Sequence, residues 1–199
     1  MKVTAEMVKE LRAATGAGVL DVKKALEATD GDFDKAADIL REKGAARAAK
    51  RSGREASEGV IEVYAHPGNR VGVMLELNCE TDFVARNDQF LELAHDLALQ
   101  VAAMKPLYLT ADEVPADELE RELTVLRAQA LAEGKPEAVI EKIVSGRVQK
   151  FYAEFCLMDQ PFVKDDKQTV QDLITNVIST TGENIKIGRF VRYELGEEF

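Results

Sequence analysis

Apolar positions fall three and four apart over roughly the first quarter of the chain. They alternate two apart from Val71 to Cys79, return to helical spacing, and alternate again at the end. Thr4 is placed to cap a first helix carrying Met7, Val8, Leu11 and Arg12. TGAG, residues 15–18, stops that helix, because glycine tolerates the positive φ of a tight turn. Val19 to Ala28 reads as a second helix with Val22 and Leu26 inward and Leu20 as a further inward candidate. ATDGD breaks it, and Asp32 caps a third helix holding Phe33, Ala36, Ala37, Ile39 and Leu40, expected to end near Gly44. The following alanine-rich stretch, KGAARAAKRSGREAS, is expected to be a solvated connecting helix.

VIEVYAH, Val60 to His66, is strand-like, PGNR is a turn, and VGVMLELNC places Val71, Val73, Leu75, Leu77 and Cys79 on one face. The pair predicts a hairpin with one buried face. NCETDFVARND follows, with Asp82 and Phe83 side by side. The hairpin and the next helix each supply their own inward residues, so neither pattern needs Phe83, and a displayed tip is as open a reading as a core plug. Asn87 caps a long helix with Phe90, Leu93, Ala94, Leu97, Val101 and Met104 in one stripe. Asp117 to Ala132 is another helix, Pro136 opens the next with a break considered at Ser145-Gly146, and DQPFV, 159–163, is a loop. Asp165 or Asp166 opens a last helix. NIKIGRFVRYELG, with Ile187, Val191, Tyr193 and Leu195 usable on a sheet, returns as a third strand. The expected class is α+β: a three-helix bundle, then a small antiparallel sheet of about three strands packed with helices.

Charge divides the chain. Residues 1–56 hold 12 basic and 10 acidic residues, whereas residues 57–199 hold 14 and 26. With the change of pattern near Gly53, two units are expected, 1–53 and 54–199. The formal charge of −10 argues against general nucleic-acid binding. The stretch from Arg41 to Arg54, with six basic residues and one acid, keeps RNA or ribosome binding as an alternative. Two cysteines, Cys79 and Cys156, without C-x-x-C spacing fit a reducing compartment. MKVTAEMVKELR is amphipathic and partly acidic, unlike a signal or transit peptide, and a cytoplasmic location is expected.

The sequence offers no catalytic constellation. His66 and His95 sit in no metal-binding pattern, and no nucleophile elbow occurs. TGAGVLDVKKAL places its lysines five and six residues after Gly18 and follows a helix, so it is not a phosphate loop. Neither cofactor nor metal is expected, and the reading by elimination is a binding or regulatory protein.

Three separated blocks carry a resemblance. VKELRAATGAGVLDVKKALEATDGDFDKAADILREKG, NCETDFVARND, and SGRVQKFYAEFCLMDQPFVKDDKQTV with the closing GRFVRYELGE resemble, in this order, the bacterial elongation factor Ts family in its short, single-core form. The resemblance implies a ubiquitin-associated-like (UBA-like) N-terminal bundle and exchange of GDP for GTP on elongation factor Tu, without covalent chemistry. It implies that Thr81, Asp82, Phe83 and Val84 form the tip that disturbs the partner's Mg²⁺ site, with Phe83 as the wedge. Arg12, Val19 and Leu20 fall at contact positions of the N-terminal module; relatives often carry two methionines where Val19 and Leu20 stand. Gln160 and Phe162 belong to a loop of lower rank in the same interface. A single-core member is also expected to form a homodimer, non-covalent here because GRFVRYELG has Val191 and no cysteine.

Overall fold

The structure, a computed structural model, describes residues 3–197. By compactness it divides into a first unit, residues up to Ala98 together with those from Asp172 onward, and a second unit, Leu99–Gln171. The boundary expected between residues 53 and 54 lies inside the first unit.

In the first unit, α1 (Ala5–Thr15) is capped by the Thr4 hydroxyl, which accepts the Met7 N–H at 3.2 Å, and ends at Gly16 with φ 66°. α2 (Val19–Ala28) and α3 (Phe33–Arg51) follow, the latter capped by Asp32 through the Lys35 N–H. Leu11, Val22, Ala25, Leu26, Ala36 and Leu40 close a small core. Leu20 does not join it; its side chain is 73% exposed.

The third helix does not end near Gly44 but runs on to Arg51 without a break. Gly44 is buried, and a Cβ there would lie 2.9 Å from Ser179 Oγ. The glycine is therefore a close-packing point, whereas the alanine-rich segment after it is largely exposed, as expected, with only Ala48 and Arg51 half-buried.

β1 (Glu58–Ala65) pairs antiparallel with β2 (Val71–Cys79), and β2 pairs antiparallel with the last strand, β5 (Lys186–Glu194), in the order β1-β2-β5. On β2, Val73, Leu75, Leu77 and Cys79 are buried, as alternation predicts. The short α4 (Asp82–Ala85) and the long α5 (Asp88–Met104) come next. Asn87 Oδ1 accepts the Gln89 N–H at 2.8 Å at the start of α5, whose Phe90, Leu93, Ala94 and Leu97 are buried. His95 reaches Glu62 of β1 at 3.0 Å and packs edge-on against Tyr64, so α5 lies over β1.

The second unit contains α6 (Ala116–Ala132) and α7 (Glu137–Phe155), a helical hairpin closed by Leu126, Ala130, Ile140, Val144 and Val148. Arg127–Glu141 at 2.8 Å and Arg147–Glu133 at 2.7 Å flank the seam. No break occurs at Ser145-Gly146; a Cβ at Gly146 would meet open space, so the glycine sits in the helix at its intrinsic cost alone. The expected loop at 159–163 contains β3 (Pro161–Phe162), which pairs with β4 (Asp165–Thr169). Neither Asp165 nor Asp166 opens a helix: α8 (Val170–Thr181) starts later, and DDKQT carries no apolar alternation that would mark a strand.

β5 spans Lys186–Glu194, and its register with β2 slips by one residue between Glu76 and Leu77. Gly188 is the extra residue. A Cβ there would come 2.6 Å from Asn78 Oδ1, so only glycine fits without displacement. The bulge reverses the strand's phase. Ile187 is buried, but Val191 and Tyr193 point outward at 40% and 57% exposure. Of the four residues expected on this strand, Ile187 lies on one face and Val191 and Tyr193 on the other, whereas Leu195 falls in the turn beyond the strand's end.

Candidate functional site: a displayed phenylalanine at the end of the hairpin

The segment after β2 turns outward. Thr81 caps α4: its hydroxyl oxygen accepts the Val84 N–H at 3.3 Å. Within this single turn the side chains diverge. Val84 and Ala85 are buried, at 6% and 7%, and α4 touches both β1 and β2. Phe83 is 80% exposed. The core-plug reading is thereby excluded, because the adjacent Val84 plugs the core. Asp82 is also exposed and pairs with Arg86 at 3.1 Å across one helical turn. The tip thus offers a bare ring beside an exposed charge pair.

A four-residue helix is not stable by itself. Besides the two buried side chains, it is held by Cys79, whose thiol donates to Thr81 O at 3.2 Å, and by Glu183. One Glu183 oxygen accepts the Thr81 hydroxyl at 2.7 Å, and the other accepts the N–H groups of Glu80 and Thr81 at 3.1 Å each. Glu183 was not among the sequence candidates. It lies about a hundred residues from Thr81, and nothing in ENIKIG signals the partnership.

Burial pushes the Cys79 thiol up to about 11, with the Glu183 charge adding to the rise. Burial, then the charges of Asp159 and Glu113, raises Cys156 likewise to about 11. Both thiols are structural hydrophobes here.

In the N-terminal module, an open groove is lined by Val3, Thr4, Val8, Arg12, Val19 and Lys23. Arg12 and Val19 therefore border one concavity, with Leu20 exposed next to Val19 on α2. Gln160 and Phe162, at 0% and 5% exposure, are enclosed in the second unit. Gln100 donates to Gln160 Oε1 and Pro161 O, both at 3.1 Å, and accepts the Val163 N–H at 2.8 Å. Gln160 in turn donates to Glu154 O at 2.8 Å. This buried amide pair braces the loop.

Among the described residues, no group of three or more His, Cys, Asp and Glu could hold a metal ion, and no helix is long and apolar enough to cross a membrane.

The chain combines an α+β core, an N-terminal helical bundle and an exposed aromatic tip. The family model described as elongation factor TS matches residues 2–197. Proteins named elongation factor Ts from Desulfitobacterium hafniense and Syntrophomonas wolfei are each 58% identical, over 98% of this chain and 90% and 91% of their own lengths. The one from Desulforamulus reducens is 56% identical over 98% of this chain and 90% of its own. This chain belongs to the elongation factor Ts family, whose members are translation elongation factors.

Proposed function

We propose that the chain is the nucleotide-exchange factor for elongation factor Tu, and that it accelerates GDP release by inserting the Phe83 ring. It acts by binding, without covalent chemistry, in the cytoplasm where translation runs. The observation that carries this reading is the 80% exposure of Phe83 beside the buried Val84. A large apolar ring held in water is unfavourable in the free protein, and enclosing it in a partner returns about 2–3 kcal/mol. That free energy is available to deform a site in which Mg²⁺ and phosphates hold each other. Exchange is then linkage: a factor that weakens nucleotide binding is itself weakened by nucleotide to the same ratio. Either nucleotide displaces the factor, and their concentrations set the direction.

Arg12, Val19 and Leu20 form the second point of attachment: an apolar contact with a cationic edge. Asp82 contributes charge at the tip, Thr81 and Val84 set the turn, and the loop of Gln160 and Phe162 supports the interface through its shape. Three of the six cations of the 41–54 segment, Arg41, Arg47 and Arg54, pair with Asp38, Asp21 and Glu80, which supports exchange over RNA binding.

A second copy of the chain covers the outward sheet face. Val63, Met74 and Val191 stand abreast on the three strands, flanked by Ile61 and Tyr193, all substantially exposed. Glu76 and Arg189 pair at 2.9 Å on the same face, and the Asn78 amide, then Arg189, hold the Glu76 carboxyl below its usual range. A face whose apolar side chains lie beside an internally paired Glu76 and Arg189 suits self-association about a two-fold axis.

The test is GDP release from elongation factor Tu with and without this chain. Catalytic amounts should speed release; an unchanged release rate would overturn the reading.

A further inference from the structure

We propose that Glu183 is a positioning residue for exchange: its carboxylate holds the first turn of the tip so that Phe83 stays outward. The inference rests on Phe83 as the wedge.

The contacts at Glu183 differ from a surface ion pair. Its two oxygens accept three donors from two consecutive residues of the tip, the N–H groups of Glu80 and Thr81 and the Thr81 hydroxyl, at 2.7–3.1 Å. Hydrogen bonds to a charged acceptor are stronger than neutral ones. They also fix the Thr81 hydroxyl as donor to Glu183, leaving its lone pairs to accept the Val84 N–H that starts the turn. Cap and clamp thus use opposite capacities of one hydroxyl.

The bonding is reciprocal. Glu80 sends its own carboxylate back: one oxygen accepts the Asn184 N–H at 2.6 Å, and Arg54 approaches the same carboxylate at 3.4 Å. The buried Asn184 side chain donates to the carbonyl of Arg54 at 2.8 Å and lies 3.4 Å from that of Ser52. The Glu183–Asn184 corner is therefore anchored to the segment just beyond α3 and is not a loose arm. Two loops, at 80–81 and 183–184, satisfy each other's backbone donors through crossed carboxylates.

The arrangement answers a physical problem of the tip. An exposed phenylalanine on a four-residue helix gains nothing from its own fold by staying out. With the first turn loose, the ring would spend part of its time against the protein's own apolar surface, and each encounter would carry an ordering cost. Glu183 removes that freedom in advance. Its contribution belongs in the step where the ring enters the partner, because its bonds to the tip go to Glu80 and Thr81 and none reaches Arg12, Val19 or Leu20.

The test measures stimulated GDP release at rising factor concentrations for the full-length chain. Glu183→Ala is expected to lower the maximal rate about tenfold, and Glu183→Gln, which keeps one acceptor oxygen, about threefold. The half-saturating concentration should change less than about twofold. In a Phe83→Ala background, Glu183→Ala should cost nothing further. The inference is overturned if folded Glu183→Ala exchanges at the wild-type rate, or if it loses the same factor with Phe83 already removed. If Glu183→Ala does not fold, the isosteric Glu183→Gln decides by the same two criteria. Phe83→Ala at the wild-type rate would instead remove the wedge reading itself, so the two failures are distinct.

Discussion

Asp82 and Arg86 pair at 3.1 Å across one turn of the tip while keeping 64% and 80% of their side chains exposed. So exposed a pair contributes little to folding, about 0–1 kcal/mol. It leaves the aspartate ready to exchange one partner for another. Arg86→Ala should leave the melting temperature within about 2 °C of wild type. Asp82→Ala should slow stimulated GDP release by less than about tenfold, because only a charge contact is lost. Melting curves and fluorescent-GDP release check both.

Gly44 lets α3 lie against α8, with Ser179 Oγ where a side chain would begin. Gly44→Val should overpack this contact at about 1–3 kcal/mol and lower the melting temperature by about 2–10 °C. Differential scanning calorimetry reads the shift. An unchanged transition would mean that α3 is not held at this point.

Both thiols are raised to about 11, chiefly by burial. Neither should react with a disulfide reagent at about pH 8 in the native protein, and both should react in denaturant. The linkage has a definite sign. An acid whose pKa is higher folded than unfolded stabilises the fold fully below its unfolded value. That stability is lost as pH rises from about 9, the ordinary value, through about 11. Melting temperature followed across this window should fall, and should fall less in Cys79→Ala with Cys156→Ala, measured against that variant's own neutral-pH value.

Met74 stands at the centre of the outward sheet face between Val63 and Val191. Met74→Asp places a charge where two copies would meet. Sedimentation equilibrium at micromolar protein should give a dimer for wild type and a monomer for this variant. A wild-type monomer would rule out the sheet face as a dimer surface.

Local chemistry was legible in the sequence wherever a residue acts on its near neighbours. Thr4, Asp32 and Asn87 start helices as their side-chain oxygens dictate, and the alternation of Val71 to Cys79 names its buried face. Features that depend on distant residues were not legible. Gly44 looked like a helix end because only the remote Ser179 reveals it as a packing point. Val191 and Tyr193 change face because Gly188 bulges against Asn78 and Glu76, more than a hundred positions away. The tip divides in the same way. Asp82 and Phe83 stood out in NCETDFVARND, whereas the carboxylate that fixes their turn, Glu183, is joined to Thr81 only by the fold.

The central claim is that the Phe83 ring, displayed by a folded turn, drives exchange. It is tested most directly by GDP dissociation from elongation factor Tu, with wild type and Phe83→Ala compared at saturating factor. The ring contributes about 2–3 kcal/mol on enclosure, so the variant should be slower by about 30–150-fold. Its melting temperature should match wild type or exceed it, since the side chain is 80% exposed. A folded Phe83→Ala variant that releases GDP as fast as wild type would contradict the account.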